Sequence, residues 1–499
     1  MIFRHFCSTA ASIFLLIAGA PTGEGAGLPG EDPRLGDRIM VRVLPNAALA
    51  DFTGLFESNH ADLGVTLTPI DAIPSRQTHL LALGLRPQGS NHGVLDILED
   101  DLDSNPAYRS ILSWSEFCYQ GEAPEGKTGS FWFNLDRDDG PFWGQFATGM
   151  FNLSQTHQRS RGAGTVVAVL DTGIDPAHPV LGGRLAAGGF NFVNGTSDTS
   201  DTGDGRDSDG DGFVDEMVGH GTFVASLIVL VAPDARILPV RVLDGDGVSD
   251  SWLIAKGLYH AIDQGVDVIN LSLGSTYKSD AIGDALHEAR EAGIIAVAAA
   301  GNLNRAEPRE FPANTRQALG VAATDDLDVK AAFSNFHHKL TIAAPGASVQ
   351  IQAPSGSAQY DPARSIVGAI PGGGYAIWQG TSFATAFVSG AAALIQAQLP
   401  DPGHGEATFD LIERRLASTA VDLSTQNPQF DDMLGAGRID VARAVLLGAG
   451  DLDGDGLVSE ADLMALLSAW GPCDECAADL DGDGVVGVQD LLVVMANWD

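Results

Sequence analysis

Three short segments, taken in chain order, constrain the fold of this chain more than any other feature. The strand-like run Thr165-Val166-Val167-Ala168-Val169-Leu170 leads into Asp171-Thr172-Gly173-Ile174-Asp175. Gly219-His220-Gly221-Thr222 precedes the apolar stretch Phe223 to Ala232, and Gly380-Thr381-Ser382 opens a helix-like run of small and apolar residues. A serine hydroxyl attacks a carbonyl only when a nearby base takes its proton and a third group orients that base. Ser382, His220 and Asp171 are the residue types for those tasks. From about Thr165 to Leu447, strand-like runs occur at Ile237 to Leu243, Val266 to Leu273, Ile294 to Ala300, Ala318 to Ala323 and Leu340 to Ala344. Between them, Ser251 to Gln264 and Asp280 to Ala292 have helical period. Strands buried on both faces and separated by helices predict a parallel sheet in a three-layer α/β domain. Functional residues are then expected beyond the carboxyl ends of the strands, where Asp171 falls.

Unrelated folds that carry such a trio differ in its chain order, and the order Asp, His, Ser is that of subtilisin. The segments VVAVLDTGID, GHGT and GTSFA resemble the three signatures of subtilisin-like serine peptidases, the subtilases. The resemblance implies a subtilisin-like serine endopeptidase that cleaves protein or peptide substrates through an acyl-enzyme and needs no cofactor for catalysis. In that reading Asp171 orients His220, His220 takes and returns the Ser382 proton, and Ser382 forms the acyl-enzyme. The segment AAAGN resembles the stretch whose asparagine donates to the oxyanion, which gives Asn302 that role beside the Ser382 backbone N–H. Ser272-Leu273-Gly274, together with Gly301, resembles the substrate-lining edge, where an extended peptide pairs by strand addition. Two positions depart from the family pattern: Phe223, where histidine usually follows GHGT, and Ala386, where the serine motif usually has proline. Neither carries chemistry. The sedolisins share the fold but use glutamate and aspartate in place of His220 and Asn302, which disfavours them here. The competing class is a catalytically silent binding protein of the same fold, attached to a scaffold by its tail, against which the intact trio argues.

A chain of 499 residues exceeds what one hydrophobic core organises. Arg4 and His5, the apolar stretch Ala10 to Ile17 and Ala18-Gly19-Ala20 read as a secretory signal peptide over residues 1–20. Localisation outside the cell or at its surface follows, with no later run long enough to span a bilayer. Residues 35–120 alternate as strand, helix, strand, helix and strand, which suggests a compact β-α-β-β-α-β unit. By position it resembles the inhibitory propeptide of subtilases, a ferredoxin-like α+β domain, so the chain's own propeptide becomes an expected partner. Residues 121–140, rich in glycine and charge, read as a linker, and 141–448 as the peptidase domain.

The formal net charge of −37 repels nucleic acid and excludes it as a partner. Part of that charge is patterned. Asp207, Asp209 and Asp211-Gly212 reproduce the start of a calcium loop, with Asp215 available to complete it. In the last fifty residues, Asp451, Asp453, Asp455-Gly456 and Asp462 recur 28 residues later as Asp479, Asp481, Asp483-Gly484 and Asp490. Loops of this kind take a cation on side chains at positions 1, 3, 5 and 12 and on a backbone carbonyl at 7, here Leu457 and Val485. With a helix after each loop, residues 449–499 resemble a dockerin module, a small α-helical pair of structural Ca2+ loops. That implies a cohesin-like partner and an anchoring role. Of the four cysteines, Cys473 and Cys476 have the spacing of a local disulfide in an exported chain.

Overall fold

Period-two burial along the first strand sets the architecture of the N-terminal unit. Its elements are β1 (Arg34–Val43), α1 (Leu49–Asn59), β2 (Thr66–Ile73), β3 (Thr78–Gly84), α2 (His92–Ser104) and β4 (Leu112–Glu122). The antiparallel sheet runs β2-β3-β1-β4. Ile39 and Val41 face one side, where Phe52, Phe56, Leu81, Leu98 and Phe117 close a core of their own. Met40, Leu80 and Cys118 face the other side and belong to the main core of the chain. Because successive strand residues point to opposite faces, one strand serves two cores. In this computed structural model residues 34–499 are described, apart from 86–91, 129–131, 353–357, 400–404, 454–456, 474–475, 477, 481–483 and 499. The expected signal peptide and the loop residues Asp455, Asp481 and Asp483 lie outside the described residues.

The stretch expected to be a linker, 121–140, carries short elements where it is described. β4 continues to Glu122, residues Gly126–Thr128 make a turn of 3-10 helix, and β5 (Phe133–Asn134) joins a later sheet. Short helices α3 (Gly140–Gly144), α4 (Phe146–Met150) and α5 (Leu153–Arg159) lead into the α/β domain. Composition misleads here because the chain is held by partners far away in sequence. Glu122, for example, pairs with Gly274.

The α/β domain contains β6 (Val166–Asp171), β7 (Phe190–Asn191), α6 (His220–Val231), β8 (Arg236–Arg241), β9 (Val248–Asp250), α7 (Ser251–Asp263) and β10 (Val268–Leu271). It continues through α8 (Asp280–Glu291), β11 (Ile295–Ala299), β12 (Leu319–Thr324) and β13 (Ile342–Pro345). Seven of these strands form one sheet in the order β13-β12-β11-β10-β6-β8-β7, all parallel. Beyond it lie the hairpins β14 (Gln350–Gln352) with β15 (Ala358–Tyr360), and β16 (Ile366–Ile370) with β17 (Gly374–Trp378), followed by α9 (Thr381–Gln396), α10 (Glu406–Ser418) and α11 (Val441–Gly450). Every residue of α6 and α9 is buried. The small residues of α9 make that possible: a Cβ at Gly390 would stand 2.7 Å from Val231 Cβ and 3.1 Å from the Ile228 carbonyl of α6.

The N-terminal unit is joined to this domain by strand addition and by charge. β9 pairs with β4 and becomes the fifth strand of its sheet. Glu116 accepts hydrogen bonds from Ser279 Oγ at 2.8 Å, Asp280 N at 2.8 Å and Ala281 N at 2.9 Å, at the N-terminus of α8. There a carboxylate satisfies orphan backbone donors. Arg42 bonds Asp284 at 2.7 Å. The C-terminal module, α12 (Glu460–Ser468), β18 (Gly471–Pro472), β19 (Val485–Val486) and α13 (Val488–Ala496), closes on Val458, Leu466, Ala478, Val486 and Val494. Cys473 and Cys476 are bonded within it. Among the described residues no helix is long and apolar enough to cross a membrane.

Phe117 is wholly buried between β4 and the helices of the N-terminal unit. Phe117→Ala should destabilise that unit by about 3–5 kcal/mol. Hydrogen exchange of the full chain should show lost protection concentrated in residues 34–122, with the seven-stranded sheet retained.

Candidate functional site

Asp171 ends the central strand β6, His220 is the first residue of α6, and Ser382 is the second residue of α9. The parallel sheet brings them to one edge, and all three are buried. His220 Nδ1 lies 2.8 Å from Asp171 Oδ1, which also accepts from Thr172 N at 2.8 Å. Close packing sets this pair: a Cβ at Gly221 would meet the Gly173 carbonyl at 2.1 Å and Asp171 Cβ at 3.1 Å. Asp201, unremarked in the sequence, braces the start of α6. Its carboxylate accepts from Gly219 N, Thr222 N, Thr222 Oγ1 and Thr172 Oγ1 over 2.6–3.1 Å. Phe223 packs on Phe383 with ring centroids 4.4 Å apart, and Trp378 stands edge-on to the His220 ring at 5.5 Å. The unusual residue after GHGT therefore belongs to an aromatic wall behind the histidine.

A fourth side chain completes the arrangement. Glu125, wholly buried, places Oε2 2.6 Å from Ser382 Oγ and 3.1 Å from His220 Nε2. Its Oε1 accepts from Asn302 Nδ2 at 3.0 Å and, more weakly, from Ser382 N at 3.4 Å. Asn302 Oδ1 accepts from Thr381 N and Oγ1, both at 2.9 Å, so its amide nitrogen must face Glu125. A carboxylate thus sits on the pair of donors expected to receive an oxyanion, between the serine and the histidine. Gly380 leaves the room, since a Cβ there would stand 1.6 Å from Glu125 Oε1.

Residues 120–122 run as an extended strand between β9 and Gly274. Glu122 N donates to Gly274 O and Gly274 N to Glu122 O, each at 3.0 Å. Ser272 is turned inward, its Oγ donating to the Ser382 carbonyl at 3.0 Å, and Leu273 is 1% exposed in the main core. Of the expected substrate-lining residues, Gly274 offers backbone to the incoming strand, whereas the side chains of Ser272 and Leu273 support the site from behind. Gly301, with φ of 97°, takes a left-handed conformation suited to glycine and directs the chain into Asn302.

Burial by itself would push the His220 imidazole down. The adjoining Asp171 carboxylate, joined by Glu125, outweighs burial and lifts the ring to about 10. For Glu125 the sign reverses: burial raises its carboxyl, but His220, Ser382 and Asn302 hold it below the usual carboxylate range. The ring is therefore an imidazolium while Glu125 is seated, and a protonated ring cannot act as a base.

The acidic loops divide. The carboxylates of Asp207, Asp209 and Asp211 come within 4.8 Å of one another, as do those of Asp451, Asp453 and Asp462. An all-carboxylate donor set of this kind fits a hard divalent cation such as calcium. Asp215 does not join the first group; its Oδ1 accepts from Asp204 N at 2.7 Å and its Oδ2 from Gly205 N at 2.9 Å. Asp246, also absent from the sequence reading, anchors that loop by accepting from Ser208 N and Asp215 N. The two tail loops share one hydrogen-bond pattern. Leu452 N and Ser459 N donate to Asp462 at 2.6 and 2.8 Å, and Leu480 N and Gly487 N donate to Asp490 at 2.6 and 2.7 Å. Asp479 accepts from Gly484 N at 2.8 Å, and Val485 pairs with Pro472. Arg415 binds Asp451 at 2.8 Å, both side chains being buried.

The Subtilase family model matches residues 162–437. Thermitase of Thermoactinomyces vulgaris is 34% identical over 254 residues, covering 51% of this chain and 82% of thermitase. Subtilisin BL of Lederbergia lenta is 36% identical over 275 residues, covering 53% of this chain and 87% of its own. Fervidolysin of Fervidobacterium pennivorans, a keratinolytic enzyme related to subtilisin, shares the fold with a TM-score of 0.58 at 20% identity, over 82% of this chain and 60% of its own.

The raised imidazole carries a pH dependence. Its contribution to seating Glu125 is complete below the ordinary histidine value of 6.5 and is lost as pH rises through about 10. The rate of Ser382 labelling by a fluorophosphonate in the full chain should therefore rise late, toward pH 10. In Glu125→Gln the midpoint should fall by at least about one pH unit, since an adjacent charge has been removed. Coincident profiles for the two proteins would refute the coupling.

Proposed function

The chain belongs to the subtilase family of serine endopeptidases, and from that premise we propose that it is an exported enzyme, made as a self-blocked precursor, that cleaves peptide bonds with Asp171, His220 and Ser382. The observation that carries this reading is the seating of Glu125, whose two oxygens are met by the Ser382 hydroxyl, His220, Asn302 and the Ser382 amide. Those are the groups an acyl transfer requires. With Glu125 withdrawn, His220 Nε2 faces Ser382 Oγ, takes its proton as the oxygen attacks a carbonyl, and later gives it to the leaving amine. Asp171 holds the ring through Nδ1 and stabilises the imidazolium formed during attack. Negative charge developing on the carbonyl oxygen falls where Glu125 Oε1 now lies, between Asn302 Nδ2 and the Ser382 N–H. The water that hydrolyses the acyl-enzyme is activated by the same histidine.

Residues 35–120 act as the inhibitory propeptide. The unit adds its β4 to the strand edge at β9 and Gly274 and delivers Glu125 into the site. Asp207, Asp209 and Asp211 would hold calcium, as would Asp451, Asp453 and Asp462 and, by the repeat, Asp479 and Asp490, where the ion would tie loop backbone together. The first of these groups lies just before the helix that bears His220. The tail, dockerin-like in its repeat, serves to anchor the enzyme through a cohesin-like partner.

Fluorophosphonate should label processed wild-type protein and leave Ser382→Ala unlabelled, whereas absence of labelling in the processed wild type would favour a silent binding protein. Asn302→Leu should lower kcat by about 100- to 1,000-fold with KM little changed, the loss known for a donor of this kind in subtilisin. Calorimetric titration of the chelator-treated full chain should show calcium binding that diminishes in an Asp451→Asn, Asp479→Asn double variant. No heat from the parent protein would end the calcium assignment.

A further inference from the structure

Beside Glu125 lies an ion pair, buried at Glu310 and half-buried at Lys127, that the chemistry above does not use. Glu310 is wholly buried, and its Oε1 accepts from Lys127 Nζ at 2.6 Å. Its Oε2 is buried with no hydrogen-bond partner among the described residues. Two glycines wall the cavity that holds this pair. A Cβ at Gly274 would stand 2.7 Å from Glu310 Cγ, and one at Gly301 would stand 3.1 Å from Glu310 Oε2. Gly274 is the residue that pairs with Glu122, and Gly301 precedes Asn302, whose amide faces Glu125 Oε1, the place the reading above gives to the carbonyl oxygen. The cavity is therefore placed to receive the side chain of the residue whose carbonyl Ser382 attacks.

The cation in this cavity comes from the blocking segment. Among the described residues Lys127 is the ion-pair partner of Glu310, and Glu122, 3.5 Å from Lys127 Nζ, belongs to the same segment. When residues 120–128 leave, Glu310 stays behind without its cation. An unpaired buried charge is costly, and it is relieved by a new cation with a hydrogen bond to give. An apolar substrate side chain would supply neither, and an acidic one would add repulsion.

Resting on the peptidase reading above, we propose that Glu310 determines specificity, selecting lysine or arginine on the acyl side of the cleaved bond, with Lys127 standing in for that side chain in the blocked chain. Lysine reaches Oε1 as Lys127 does, and arginine, with its forked donors, reaches Oε2 as well.

The full-length protein, allowed to process itself, is tested in two ways. Cut sites in denatured casein are mapped by mass spectrometry. In parallel, kcat/KM is measured on fluorogenic peptides that differ only in bearing Lys, Arg, Leu, Phe or Glu before the reporter bond. Most cuts should follow Lys or Arg, and those peptides should exceed Leu and Phe by at least about 30-fold. Glu310→Gln, nearly isosteric, should narrow that ratio at least about tenfold, which mere loosening of the fold would not do selectively. Fluorophosphonate labelling and cleavage without a basic preference would overturn this proposal alone. Absence of labelling and of cleavage would overturn the peptidase reading and this proposal with it.

Discussion

The hydrogen bond between Asp171 and His220, buried on both sides, is the interaction around which the α/β domain is arranged. A carboxylate and an imidazole away from water need fixed partners, because unpaired polar groups are costly there. The domain supplies them from distant segments. The 2.8 Å contact requires β6 to end at Asp171 and α6 to begin at His220, with nothing larger than glycine at position 221. Asp201 then satisfies the orphan N–H groups at the start of α6. The aromatic wall of Phe223, Trp378 and Phe383 closes the apolar side. α9 carries Ser382 to the same place only because its small residues let it lie against α6.

In the reading proposed above, the N-terminal unit occupies the edge of the domain that an extended substrate would take. Its fourth strand pairs with β9 and, through Glu122, with Gly274, while Glu116 satisfies the N-terminus of α8. Backbone pairing alone would be indifferent to sequence. Two charged side chains that follow it make the contact particular to this chain: Glu125 at Ser382 and Lys127 at Glu310. Electrostatics couples the first to His220, whose ring the Asp171 and Glu125 carboxylates lift to about 10 against the effect of burial. In the proposed reading, a single contact thereby blocks the serine and disables its base.

The tail obeys a different rule. Its core is small, Val458, Leu466, Ala478, Val486 and Val494, too few apolar groups to order two loops unaided. The repeated Asp462 and Asp490 supply the difference by gathering backbone N–H groups at the same places in each copy. Arg415, buried against Asp451, fastens the first loop to α10 of the α/β domain. The anionic surface expected from composition is thus partly organised, with carboxylates acting as local braces.

The parallel sheet, its strands and the three residues Asp171, His220 and Ser382 were legible in the chain, because each depends on local pattern. Four or more apolar residues in a row bounded by glycine or a helix start identify a buried strand wherever it pairs, and short motifs bring their own backbone geometry. The 28-residue repeat was legible for the same reason. Glu125, Lys127, Asp201 and Glu310 were not. Glu125 and Lys127 lie in a stretch whose composition reads as a linker, and nothing local distinguishes Glu310 from the many other acidic residues. Their meaning comes from partners up to 257 positions away, as for Glu125 and Ser382. Local periodicity determined which elements form and which residue types they carry. Only the tertiary structure decided which charges are buried together, because the cost of burying a charge depends on what the rest of the chain brings to meet it.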